Sequence, residues 1–189
     1  MSTKALVPIA NGTEEIEAVC IIDVLRRAGV SVTVASVSEL QVTASRGVKL
    51  VADRLVDECL DGTYDLIALP GGMPGAEHLR DSAGLKELLQ RQEREGRLYA
   101  AICAAPVVVL QHHGLLAGRR ATCHPEFVDQ LVDTRAVDER VVVDGQCVTS
   151  RGPGTAIEFA LKLVELLYDE GKSREVARRM LVAGNQEAH

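Results

Sequence analysis

Short apolar runs and amphipathic stretches alternate along the whole chain. Residues 4–10 (KALVPIA) form an apolar run suited to a strand buried on both faces. Across residues 13–28, Ile16, Val19, Cys20, Val24 and Leu25 recur at helical spacing, and Gly29 follows as a stop. Residues 30–37 (VSVTVASV) are rich in β-branched side chains and predict a second strand. A third lies at 65–70 (DLIALP), closed by Gly71-Gly72, and an amphipathic helix at 82–95 ends on Gly96. Residues 98–102 (LYAAI) predict the next strand and 104–113 the helix after it. Further strands are expected at 120–123 and at 140–150, the latter as a hairpin turning at Asp144-Gly145. Segments 155–168 and 173–183 read as closing helices.

Alternating β and α elements of this length predict a three-layer α/β/α sandwich with a mostly parallel sheet. In such folds ligands gather at the carboxyl ends of the strands, where loops lead into helices. No repeat, linker or low-complexity tract divides the chain, so residues 1–189 are expected to form one domain.

The composition narrows the function classes. An apolar fraction of 47% with 25% charged residues is that of a folded soluble protein. A net charge of −6 argues against nucleic acid as the main partner, and the pairs Arg26-Arg27, Arg119-Arg120 and Arg178-Arg179 read most simply as solvated faces. No apolar run approaches membrane-spanning length, and MSTKALVPIA shows no secretory leader pattern. The five cysteines, Cys20, Cys59, Cys103, Cys123 and Cys147, are odd in number, widely spaced and without a CxxC pair. That fits neither a disulfide framework nor a zinc ribbon. No metal is expected, and the simplest reading is a cytoplasmic protein with free thiols.

Among these thiols Cys103 has the most suggestive setting. It stands where an apolar strand stops and a helix starts, in AAICAAP. A nucleophile on a sharp strand-to-helix turn needs small neighbours, and a thiol at a helix start faces unpaired N–H groups that favour thiolate. A small thiol buried in an alanine-rich contact explains the local string equally well. Gly71-Gly72 follows a strand and can turn its N–H groups toward a ligand; with the N–H of Ala104 it makes a candidate oxyanion pair. An ordinary glycine turn is the alternative. The string is not a dinucleotide fingerprint, so no nucleotide cofactor is expected.

Glu17 lies two residues past Glu15, a rotation of about 200° on a helix. If Glu14 and Glu15 face solvent, Glu17 points among Ile16, Cys20 and Ile21, where a carboxyl has a raised pKa and serves as an acid. A solvated glutamate is the plainer reading. His112 and His113 fit a structural role at a helix C-terminus, and His78 and His189 have no supporting context. His124, held extended by Pro125, is a loop histidine that could reach Cys103.

Taken jointly, ALVPIANGTEEIEA, DLIALPGG, AAICAAP and TSRGPGTAIEFAL resemble the ThiJ/PfpI superfamily over nearly the whole chain, most closely the branch of the Parkinsonism-associated protein deglycase and bacterial YajL. The resemblance implies a flavodoxin-like fold and a homodimer. It also implies Cys103 as nucleophile, Glu17 as the acid bonded to its sulfur, and Gly72 and Ala104 as N–H donors. His124 matches a histidine beside the cysteine in some members and is missing in YajL-like ones. Arg27 and Arg46 match arginines near the pocket and interface. Two departures stand out. Protease-like members carry histidine directly after the cysteine, where this chain has Ala104, and the second, oxidation-prone cysteine of the deglycase branch has no counterpart in residues 44–51.

The function implied is a cofactor-independent thiol enzyme acting on methylglyoxal, glyoxal or early glycation adducts of amines, of deglycase or glyoxalase type and protective in carbonyl and oxidative stress. Two rivals stand beside it. One is a redox-sensing chaperone that uses the same thiol. The other is a glutaminase, suggested by His124-Pro125-Glu126; but only 21 positions separate Cys103 from His124, much closer than in glutamine amidotransferases.

Overall fold

The computed structural model describes residues 2–182. The apolar run at the start forms β1 (Lys4–Ile9), and α1 (Glu15–Arg27) and β2 (Ser31–Ser36) follow. A small hairpin, β3 (Gln41–Thr43) and β4 (Lys49–Val51), precedes β5 (Arg54–Leu55) and β6 (Leu66–Leu69). Then come α2 (Gly75–Asp81), α3 (Ala83–Arg94), β7 (Leu98–Ile102) and a π-helical segment, Pro106–Gln111. The chain closes with β8 (Val141–Asp144), β9 (Cys147–Ser150), α4 (Ala156–Leu167) and α5 (Glu170–Arg179).

Seven strands make one sheet in the order β5-β2-β1-β6-β7-β9-β8, parallel except for the β8–β9 hairpin. Its five central strands carry the flavodoxin-like order, with the switch point between β1 and β6. The strands read as unbroken apolar runs because both faces are covered. Successive side chains alternate between faces. Leu6, Ile67, Leu69, Tyr99 and Ala101 therefore pack beneath α2 and α3, while Ala5, Val7, Leu66, Ala68 and Ile102 pack beneath α1, α4 and α5.

Three expectations need correction. Residues 120–123 are not a strand: both edges of β9 are occupied by β7 and β8, so the segment has no ladder to join. Its N–H groups go to side chains instead, Arg120 to the Asp144 carboxylate and Thr122 to Thr149 Oγ1. The expected helix at 104–113 is a wider π-helical turn over Pro106–Gln111. The last helix starts earlier than 173, because the Asp169 side chain accepts the N–H of Lys172 and caps it; its expected end at 183 and His189 lie outside the described residues. The β3–β4 hairpin and α2 have no counterpart in the predicted elements.

Candidate active site

At the switch point three loops converge, those leaving β1, β6 and β7. The first leads into α1. Glu14 caps that helix: its carboxylate accepts the N–H of Glu17 at 2.8 Å, and its own N–H donates to the Gly71 carbonyl at 2.9 Å. Helix phase then turns Glu17 inward, where it is 0% exposed. Glu15 is also buried, contrary to the expectation of a solvated side chain. The turn of the β3–β4 hairpin covers it, with Ser45 Oγ and the Arg46 N–H each donating to its carboxylate at 2.8 Å.

The loop after β6 supplies Gly71 and Gly72. Gly71 N–H donates to Glu17 Oε2 at 2.8 Å. A Cβ on Gly71 would stand 2.6 Å from Cys103 Cβ and 3.0 Å from Glu17 Oε2, so only glycine lets these two side chains meet across it. Gly72 has φ +89°, and a Cβ there would sit 2.4 Å from Glu14 N.

Cys103 follows β7 with φ +67°, in the left-handed region. Its N–H donates to Ser150 O at 3.0 Å, and its carbonyl accepts the His124 N–H at 2.8 Å. These bonds tie the elbow to β9 on one side and to the loop at 124 on the other. The thiol is half-buried.

The electrostatics of the pair follow from burial. Glu17 is pushed up to about 7, first by desolvation and also by the Glu14 carboxylate, against the pull of the Gly71 N–H. Oε1 of Glu17 is buried and takes no hydrogen bond of normal geometry among the described residues, and the carboxyl lies near enough to the Cys103 thiol for each to shift the other. The thiol is pushed up to about 12 by burial and then by the Glu17 charge, while the N–H groups of Gly72 and Ala104 lower it. The Glu17 contribution reverses once the carboxyl keeps its proton: the repulsion disappears, and the acid can donate to sulfur instead of accepting from it. The first proton therefore leaves the pair, not one residue, near neutral pH.

The structure thus brings together Cys103, Glu17, Gly71, Gly72 and Ala104. His124 joins them through its backbone. Its imidazole Nδ1 accepts the Glu126 N–H at 3.3 Å, and no bond to the sulfur is formed. Arg46 sits on the hairpin turn beside Glu15. Arg27 lies ten residues past Glu17, about 15 Å along the helix, where it pairs with Asp23 at 2.6 Å; it is not part of this cluster. A cleft of about 560 Å³ opens between residues 111–119 and 131–135 and includes none of these residues.

The sequence profile of the DJ-1/PfpI family matches residues 3–166. This chain belongs to the DJ-1/PfpI family. The Drosophila melanogaster DJ-1/PfpI relative Protein dj-1beta is 45% identical over 98% of this chain and 100% of its own. Protein DJ-1 homolog A of Arabidopsis thaliana is 49% identical over 95% of this chain, which spans only 47% of that protein's length. A Caenorhabditis elegans relative named glutathione-independent glyoxalase DJR-1.2 is 38% identical over 90% of this chain and 91% of its own. Among solved DJ-1 structures, the oxidised Toxoplasma gondii protein superimposes with a TM-score of 0.94 at 53% identity, covering 96% of this chain and 100% of its own.

Sequence reasoning missed two participants. Glu14 is not a solvent-facing bystander, and an acidic residue three before Glu17 is itself a capping signal. Ser150, whose carbonyl anchors Cys103, acts through its backbone and leaves no side-chain signal.

Proposed function

We propose that this protein is a cofactor-independent thiol enzyme that converts small 2-oxoaldehydes, or their early adducts with amines, into 2-hydroxy acids. The observation that carries the reading is a fully buried carboxyl, held by the Gly71 N–H and set across that glycine from a half-buried thiol, with its pKa raised by burial while the Gly72 and Ala104 N–H groups pull that of the thiol down. The glyoxalase name of the C. elegans relative supports the same chemistry.

Cys103 sulfur adds to the aldehyde carbon, and the C=O π bond becomes an oxyanion met by the Gly72 and Ala104 N–H groups. Glu17 delivers the proton that makes the hemithioacetal. As carboxylate it then removes the hydrogen on that carbon as a proton, and the electron pair passes to the neighbouring carbonyl. Glu17 returns that proton to the second carbon while the hydroxyl proton of the first carbon passes to the second carbon's oxygen, which completes an internal redox step: the first carbon is oxidised to a thioester and the second reduced to an alcohol. Water cleaves the thioester, releasing the 2-hydroxycarboxylate, a proton and the free thiol. In a hemiaminal adduct the C–S bond forms as the C–N bond breaks, the amine leaves with a proton from Glu17, and the same hemithioacetal results.

Consumption of methylglyoxal with stoichiometric lactate tests this. Cys103→Ser should lose all turnover and Glu17→Gln at least about a hundredfold in kcat. Turnover of Glu17→Gln at the wild-type rate would reject the mechanism.

The oxidised state of the T. gondii structure favours a second reading, in which Cys103 is a peroxide sensor. Protection of a client protein only after limiting peroxide, in protein that turns over no carbonyl, would select that reading.

A further inference from the structure

Arg151 follows β9 directly, and its setting differs from that of the other arginines. Arg91 and Arg119 are also half-buried, but each gives its guanidinium to backbone carbonyls. Among the described residues Arg151 has no carboxylate within salt-bridge distance, its side chain makes no hydrogen bond, and its Nε is buried without a partner. A buried N–H of a cation left unsatisfied is costly, and such a group is expected to have an acceptor in the working protein.

Its position is fixed by the backbone around it. Ser150 O accepts the Cys103 N–H, so the chain at 150–152 runs beside the nucleophile. A Cβ on Gly152 would come within 3.4 Å of His124 Cδ2, and the His124 N–H is itself bonded to the Cys103 carbonyl. The Arg151 charge also acts on Cys123, the residue preceding His124. Since β6 and β9 flank β7 on opposite sides, Arg151 stands across Cys103 from Glu17 and Gly71.

We infer that Arg151 is a carboxylate subsite beside Cys103, which holds the acid released from the thioester or a carboxylate already present on the substrate. The inference rests on Cys103 as the reacting thiol and deepens that reading by naming the class of group the far wall accepts: a small organic anion of the glycolate or lactate type. A planar guanidinium offers a carboxylate paired donors that an ammonium does not. The Arg151 N–H donors that have no acceptor among the described residues, the buried Nε–H first, are what such a ligand would satisfy.

The test uses glycolate binding to the full-length Cys103→Ser protein, which needs no turnover, so its outcome is independent of whether the enzyme acts on aldehydes. Glycolate is titrated while the side-chain Nε–H resonance of Arg151 is followed by ¹⁵N NMR, with neutral glycolamide in parallel. Glycolate should shift that resonance saturably, and glycolamide should bind at least tenfold more weakly. In the Cys103→Ser background, Arg151→Gln should weaken glycolate at least tenfold and Arg151→Lys by less. If Arg151→Gln does not fold, the Lys variant and the glycolamide comparison carry the test. Absence of glycolate binding, equal binding of glycolamide, or unchanged affinity in the folded Gln variant would overturn the inference.

Discussion

At the scale of single residues, Glu17 carries the sharpest consequence. Its carboxyl titrates at about 7 in the folded protein against 4.5 for the ordinary group, with desolvation the largest cause. A folded-state pKa above the unfolded value means that the native state holds its proton more tightly. Stability from that proton is fully present below about pH 4.5 and is lost as pH rises through about 7. Above pH 7 the wild type must bury a charge, at a cost on the order of 3 kcal/mol from this shift. The amide of a Glu17→Gln variant carries no such charge. Urea unfolding of Glu17→Gln and wild type at about pH 5 and about pH 8 should show the variant gaining on wild type between the two pH values by roughly that amount. A constant difference would mean that Glu17 is not held protonated. Helix phase alone points this side chain away from Glu15 and inward, but the burial of Glu15 was not legible, because the hairpin that covers it comes from residues some thirty positions later.

At the scale of elements, the sheet was legible where tertiary structure agrees with local pattern. Runs such as LIAL and LYAAI are buried on both faces, and the glycines after helices at 29 and 96 adopt positive φ. Illegible pieces have tertiary causes. Residues 120–123 have strand composition but no free sheet edge, and each strand of the β3–β4 hairpin is three residues, too short for alternation to register. The sequence offers the Gly71-Gly72 turn as a candidate N–H donor; its stricter role is steric, as the close approach of Glu14 N to Gly72 shows. Gly72→Ala meets backbone atoms at 2.4 and 2.5 Å as well as the left-handed penalty, whereas Gly96→Ala, at φ +68°, meets nothing within 4 Å. The Gly96 variant should therefore lose about 1–2 kcal/mol in chemical denaturation and the Gly72 variant at least twice that. Equal losses would show that the loop at 72 yields to an added methyl.

For the whole molecule, the described surface leaves an apolar region around the site. Ile16 on α1 is 54% exposed and Val51 on the hairpin 68%, with Val19, Val48 and Met73 also exposed. The hairpin is bonded to the loop that opens α1, so these residues belong to one rigid neighbourhood. A second copy of this chain is the proposed occupant, as the resemblance implied. Sedimentation at micromolar concentration should show a dimer, and Val51→Asp should raise its dissociation constant at least tenfold by placing a charge in that face. Val132→Asp, on an exposed residue lining the cleft at residues 131–135, should leave association unchanged. A wild-type monomer, or equal effects of both changes, would remove the assignment. No helix among the described residues is long and apolar enough to cross a membrane.

The left-handed backbone at Cys103 sets fold against chemistry. Of the described residues with positive φ, Cys103 and Leu181 alone are not glycine, and Leu181 lies at the end of the last helix. A side chain at such a position costs roughly 1–2 kcal/mol relative to a residue without one. Selection for stability alone would thus have converted the central elbow of this sheet to glycine, and the fold would have been firmer and, on the proposed function, inert. The thiol marks the point where the molecule is kept less stable than its own architecture allows.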